Sequence, residues 1–134
     1  MAERCADKLG IPVPTLYVAN SPTLNAMTFG SDQDACIVIH SAMIDHFSDE
    51  ELLSVIGHEC GHIHNDHVVY LTAIHYLRIM TQQFFGWVYM PAFLALQAWS
   101  RRAEITCDRA GALCCGSVET STRALAKLAL GSTK

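Results

Sequence analysis

The stretch His58-Glu59-Cys60-Gly61-His62 has the pattern H-E-x-x-H, and it carries more information about the fold and chemistry of this chain than any other. In an α-helix, two residues four positions apart lie on nearly the same face, about one turn from each other. Both imidazoles can therefore reach one tetrahedral Zn²⁺, while Glu59 beside them can take a proton from a metal-activated water. The motif predicts a zinc site with an adjacent base, which is the combination that a zinc protease requires.

This motif is short and also occurs by chance in unrelated helices, so the alternative is a surface helix with two ordinary histidines. The residues before it favour a well-formed helix. Ser48 can cap the free N–H groups of the first turn, and Glu51 can reach back to the Ser48 backbone. Apolar residues follow at helical spacing. We therefore predict a helix over residues 49–67, with the motif in its second half.

A second motif lies downstream, at Glu104-Ile105-Thr106-Cys107-Asp108, with the pattern E-x-x-x-D. Glu104 and Asp108 share one helix face. A third zinc ligand has to come from outside the first helix, and Glu104 suits that role. Asp108 can then accept a hydrogen bond from the second ring nitrogen of His58, which would fix the ring. The alternative is a pair of solvated acids beside neighbouring arginines.

The residues that follow His62 argue against the metzincin pattern, H-E-x-x-H-x-x-G-x-x-H. Asn65 stands at the glycine position and Val68 at the last histidine position. His67 is therefore predicted near the helix C-terminus, where a polar or cationic ring is favourable, and not as the third ligand.

Composition indicates a globular protein with one domain over residues 1–134. Hydrophobic residues make up 51% of the 134 residues and charged residues 16%, which argues against disorder. The net charge of −4, without a basic stripe, argues against nucleic-acid binding. The six cysteines are predicted to be free thiols, buried in the fold, because no signal peptide precedes them. We expect a cytoplasmic protein, with membrane association left open.

The predicted fold class is α+β, with a small three-stranded sheet before the active-site helix. Strands are predicted over residues 15–18, 26–29 and 35–40, the last of them central. Further helices are predicted over residues 2–9, 100–115 and 119–130. The apolar stretch 68–99 is interrupted by polar residues. Its longest uninterrupted apolar piece, residues 84–96, has 13 residues, whereas a transmembrane helix needs about 20. We predict a helical hairpin there, packed on the domain, on a partner or on a membrane surface.

The chain resembles the gluzincin metallopeptidases of family 48, the group that includes HtpX and the CAAX prenyl protease. The matching stretches are residues 24–26, 48–67 and 98–110. The resemblance implies a zincin-like core and an edge strand at Asn25 and Ala26 that lines the cleft and pairs with an extended peptide. It implies one Zn²⁺ per chain. It also implies His58, His62 and Glu104 as ligands, Glu59 as the base and Asp108 as the support of His58.

These observations predict a zinc-dependent endopeptidase acting on a peptide or protein substrate, with Glu59 as general base and then general acid. The chain would be a catalytic domain of a longer protein or a minimal, minigluzincin-like form. Two alternatives stay open. One is a latent protease whose cleft is blocked by its own segment. The other is a zinc-stabilised, non-catalytic module that docks through the hairpin 68–99.

Overall fold

A computed structural model describes residues 1–30, 34–66, 79 and 90–131. The architecture is α+β, as predicted. Three strands form one sheet; one helix precedes them in the chain and the other helices follow. The elements in chain order are α1 (Ala2–Leu9), β1 (Thr15–Ala19), β2 (Ala26–Phe29), β3 (Cys36–His40), α2 (Ser41–His46), α3 (Asp49–His64), α4 (Met90–Cys115) and α5 (Val118–Gly131). The short helix α2 was not predicted from the sequence.

The sheet has the strand order β1-β3-β2, so that β3 is central, as its apolar sequence predicts. Strand β3 runs parallel to β1 and antiparallel to β2. Its alternate residues Ile37 and Ile39 are buried in the core, as expected of a strand with one face on α-helices. Among the strands that the structure describes, β2 lies at an edge of the sheet, and it packs beside α3.

Helix α3 begins with the predicted capping box. Ser48 Oγ accepts a hydrogen bond from the Glu51 backbone N–H at 3.3 Å, and Glu51 Oε2 accepts one from the Ser48 N–H at 2.9 Å. The helix ends at His64, three residues before the predicted end at His67, which lies outside the described residues. The Asn65 side chain donates to the Gly61 carbonyl at 2.8 Å, and this side-chain bond competes with continuation of the helix.

Helices α3 and α4 approach closely because glycines lie at their interface. A Cβ on Gly57 would stand 2.5 Å from Cys114 Cβ, and one on Gly111 would stand 2.7 Å from the Ser54 carbonyl oxygen. Neither distance is tolerated by a real side chain, so both positions require glycine at this separation. The close packing holds the E-x-x-x-D segment of α4 against the H-E-x-x-H segment of α3.

The six cysteines are free, as predicted, and four of them are buried. The buried four are Cys5, Cys60, Cys107 and Cys114, and the other two, Cys36 and Cys115, are partly exposed. Small thiols behave here as small apolar residues that fill the space between α1, α3 and α4.

Helix α4 is already helical at Met90, the first described residue of this segment, so the predicted helix boundary near Ser100 is wrong. The rest of the predicted hairpin, residues 68–78 and 80–89, lies outside the described residues. Within the described ranges, no helix has the length and apolar character needed to span a bilayer.

The capping residue Glu51 also anchors the last helix. Its carboxylate is 3% exposed and accepts from Arg123 Nε at 3.1 Å and from Lys127 Nζ at 2.6 Å. Burial alone would raise the pKa of Glu51, but the bonds from Lys127 and the Ser48 N–H, with the charge of Arg123, outweigh it and lower the pKa. A lowered folded-state pKa means that this stabilisation is present above the unfolded pKa of about 4.3 and is lost as the pH falls through the folded value.

We expect Glu51→Gln to lower the free energy of unfolding by about 1–2 kcal/mol at neutral pH, because both cations are half-exposed and the loss is partly screened. Urea unfolding of parent and variant should show this difference shrink as the pH falls below about 4.3, where the carboxyl of the unfolded parent begins to take up a proton, and vanish below the lowered pKa of the folded parent. Glu50→Gln, on the exposed side of the same turn, is the control. An equal difference at both pH values would contradict the assigned role.

Candidate metal centre

Two histidines of α3 and one glutamate of α4 form a cluster of metal-binding atoms. Glu104 Oε2 lies 3.4 Å from His58 Nε2, and Glu104 Oε1 lies 3.7 Å from His62 Nε2. The ligand atoms of the three residues all lie within 4.8 Å of one another. Tetrahedral ligands of zinc at about 2.0–2.1 Å are separated by roughly 3.4 Å. Two imidazoles and a carboxylate therefore fit Zn²⁺ in chemistry and in spacing, and leave one coordination position open.

The helical spacing of the two histidines explains their arrangement. The ring centroids of His58 and His62 are 5.1 Å apart and the ring planes are inclined by 72°. The Nε2 atoms of both rings lie within 3.7 Å of the Glu104 carboxylate. His62 is buried, His58 is half-buried and Glu104 is half-exposed. The site therefore opens to solvent on the side of α4.

Asp108 supports the ring of His58 from the other side. The Nδ1–H of His58 donates to Asp108 Oδ1 at 2.9 Å, which directs Nε2 towards Glu104. Burial alone would lower the pKa of His58, but the carboxylates of Glu104, Glu59 and Asp108 outweigh it and raise the pKa. The same negative field favours a bound cation at this position.

Cys107 lies between Glu104 and Asp108 in sequence, but it is not part of the cluster of ligand atoms. Burial, followed by the negative charges of Glu104, Glu59 and Asp108, raises the pKa of Cys107 to about 12. The group is therefore a thiol at neutral pH in the metal-free protein, and its sulfur does not belong to the cluster of ligand atoms. Among the residues that the structure describes, the cluster with metal-ligand geometry is the one formed by His58, His62 and Glu104.

Glu59, the predicted base, lies next to the cluster and is 9% exposed. Burial raises its pKa, with a contribution from the charge of Glu104, while a hydrogen bond from Thr28 and the nearby His58 oppose the rise. The Thr28 hydroxyl donates to Glu59 Oε2 at 2.6 Å. A raised pKa suits a group that takes and returns a proton near neutral pH.

Thr28 contacts Glu59 but belongs to neither sequence motif. It lies two residues after Ala26 on β2, and residues two apart on a strand share a face. This alternation is the signal that could have placed Thr28 on the same side of the sheet as the predicted cleft residue.

A cavity of about 270 Å³ adjoins the cluster. The predicted substrate-binding residues Asn25 and Ala26 line it together with His58, Glu59 and Asp108. Its remaining wall is mostly apolar and comes from the segment before β2, from α3 and from the last helix. These residues are Leu24, Ser54, Val55, Ser121, Ala124, Leu125, Leu128 and Ala129. The contribution of α5 to this wall was not predicted, although the sequence of α5 has an apolar helical face.

Comparison with known proteins supports one family. The model of peptidase family M48 matches residues 1–133. The chain is 37% identical over 136 residues to the plastoglobule-localized metallopeptidase 48, chloroplastic, of Arabidopsis thaliana, covering 94% of this chain and 38% of that protein. It is 35% identical over 75 residues to a protease HtpX homolog of Caldanaerobacter subterraneus, covering 55% of this chain and 25% of that protein.

A longer match joins the chain to the protease HtpX homolog of Moorella thermoacetica, at 23% identity over 158 residues, covering 96% of this chain and 53% of that protein. The chain thus spans about half or less of the length of these curated relatives.

Proposed function

The chain belongs to peptidase family M48, and on this premise we propose that it is a zinc-dependent metalloendopeptidase with a zincin-like core. The observation that carries the proposal is the convergence of His58, His62 and Glu104 beside the buried carboxylate of Glu59, at the edge of a cavity. We further propose that residues 1–134 form one metallopeptidase domain.

In this proposal, His58, His62 and Glu104 hold one Zn²⁺, and Asp108 fixes the ring of His58. When bound, the ion would supply Lewis-acid polarisation of the scissile carbonyl. In the neutral ring, the hydrogen bond from His58 Nδ1–H to Asp108, at 2.9 Å, selects the tautomer whose Nε2 has the lone pair that would bind the ion.

Glu59 would do the proton chemistry. It takes a proton from the attacking water and passes that proton to the nitrogen of the leaving amine. Its low exposure supports this role, because burial raises the pKa of the carboxyl towards neutral pH. No other described carboxylate lines the cavity except Asp108, which is engaged with His58.

The substrate would bind as an added strand. Ala26 lies on β2, an edge strand, and both Asn25 and Ala26 border the cavity. Backbone hydrogen bonds from this edge would align an extended peptide across the metal centre, whatever its sequence. The apolar wall formed with α5 would then receive one side chain next to the cleaved bond.

We expect the parent to prefer peptides with a Leu or Phe beside the cleaved bond over peptides with a charged residue there. Leu125→Arg should lower kcat/KM for the apolar peptides by about 10-fold or more, and should improve the relative rate for an acidic side chain, because it places a cation in the cavity wall. Competition between two fluorogenic peptides that differ in one residue measures the ratio.

Val118→Arg is the matched control, since Val118 lies on the same helix, is 73% exposed and does not line the cavity. Equal preference in the parent and both variants would show that α5 does not contact the substrate.

Metal analysis together with cleavage of a peptide library tests the proposed function as a whole. We expect one zinc per chain and peptide cleavage that a chelator abolishes. A chain that binds zinc with ordinary affinity but cleaves no peptide would instead indicate a non-catalytic module or a latent form.

A further inference from the structure

Strand β2 contributes a side chain that contacts the proposed base but belongs to neither motif. The Thr28 hydroxyl lies 2.6 Å from Glu59 Oε2 and 3.3 Å from the main-chain oxygen of Glu59. A distance of 2.6 Å is typical of a charge-assisted bond from a hydroxyl to a carboxylate. A hydroxyl has one proton to donate, and the carboxylate oxygen is both nearer and charged. The Thr28 hydroxyl therefore donates to Glu59 Oε2.

Thr28 lies on the same strand that is proposed to bind the substrate. Ala26 and Thr28 share a face of β2, and this face is directed at α3, where Ala26 borders the cavity and Thr28 contacts Glu59. The same strand is the edge on which the peptide backbone is proposed to pair. One element of four residues would therefore contact both the substrate and the base.

We propose that Thr28 is a positioning residue that holds the Glu59 carboxylate in register with a peptide bound on β2. Its catalytic consequence rests on the proposed function. A bond to Oε2 restricts rotation of the carboxylate about its last carbon–carbon bond, so the second oxygen keeps one position relative to the strand. A displacement of about 1 Å at a reacting group can cost roughly 100-fold in rate, so this restraint matters for proton transfer.

The competing explanation is a purely structural bond that ties β2 to α3. Such a bond would affect stability and leave the turnover of the folded protein unchanged. The two explanations therefore differ in kcat at saturating substrate, measured on protein of equal folded fraction.

The test compares Thr28→Val, Thr28→Ser and the control Thr15→Val. Val keeps the shape of Thr and removes the hydroxyl, Ser restores the hydroxyl, and Thr15 is an exposed residue of the other edge strand. We expect Thr28→Val to lower kcat by about 10–100-fold with little change in KM and with full zinc content. Thr28→Ser should recover most of kcat, and Thr15→Val should match the parent.

Three results would overturn the inference. They are a kcat for Thr28→Val within about twofold of the parent, no recovery in Thr28→Ser, and a loss of zinc that accounts for the lower rate.

A measurement on the metal-free chain does not depend on activity. The urea midpoints of the parent, Thr28→Val, Glu59→Ala and the double variant form a double-mutant cycle. If the hydroxyl holds the carboxylate, Thr28→Val shifts the midpoint clearly in the parent and much less when Glu59 is already Ala. Additive shifts would overturn the inference. If the parent cleaves no peptide at all, the proposed function is wrong, and this cycle alone decides whether Thr28 holds Glu59.

Discussion

Replacing Glu59 by Gln should leave one zinc per chain and lower kcat by about 100- to 10,000-fold, the range that a general base contributes. Gln has nearly the same shape as Glu and can still accept the hydrogen bond from Thr28, but it cannot take a proton. Glu59 is not one of the three clustered metal-binding residues, so the affinity for zinc should change little. Single-turnover cleavage of a fluorogenic peptide, with metal analysis of the same sample, measures both quantities.

Glu50→Gln is the matched control for this variant, because it lies on the same helix and makes the same chemical change at an exposed position. It should cleave at the rate of the parent. A Glu59→Gln protein that cleaves within about threefold of the parent would remove Glu59 from the mechanism, while loss of zinc from that variant would assign it to the metal site instead.

Local features of this fold follow directly from the sequence. The capping box at Ser48 and Glu51 and the left-handed Gly10 after α1 each depend on residues within a few positions of one another. The three strands were placed to within one residue because turn residues bound short apolar runs. In such cases, local hydrogen bonding and side-chain alternation determine the structure, and tertiary packing does not override them.

Other features depend on contacts between distant parts of the chain. The distance from Glu104 to the histidines depends on the close approach of α3 and α4, which Gly57 and Gly111 permit. The spacing of residues in the sequence does not predict that approach. Thr28 meets Glu59 across 31 positions. The apolar cavity wall requires α5 to fold back onto α3, where Glu51 binds Lys127. The motifs thus identified residue types, while packing determined which side chains meet.

Loss of the carboxylate on α4 should be the most damaging change to metal binding outside α3. Glu104 lies within 3.4 and 3.7 Å of the two imidazole nitrogens and completes the proposed ligand set. Glu104→Ala leaves two histidine ligands. Loss of a residue that only hydrogen-bonds a metal ligand costs roughly 10- to 100-fold in metal affinity, and we expect loss of Glu104, a ligand itself, to cost more. Peptide cleavage at limiting zinc should fall in parallel, because Glu59 alone cannot promote cleavage without the metal.

Thermal unfolding with and without added zinc separates this loss from misfolding. The parent should be stabilised by zinc, by about 2.7 kcal/mol at a free concentration 100 times its dissociation constant, whereas Glu104→Ala should gain little at the same concentration. Their metal-free forms should unfold at similar temperatures, because the Glu104 side chain is 49% exposed. Glu119→Ala, an exposed acid in the first turn of α5, should respond to zinc as the parent does. Equal stabilisation of Glu104→Ala and the parent would mean that another group supplies the third ligand.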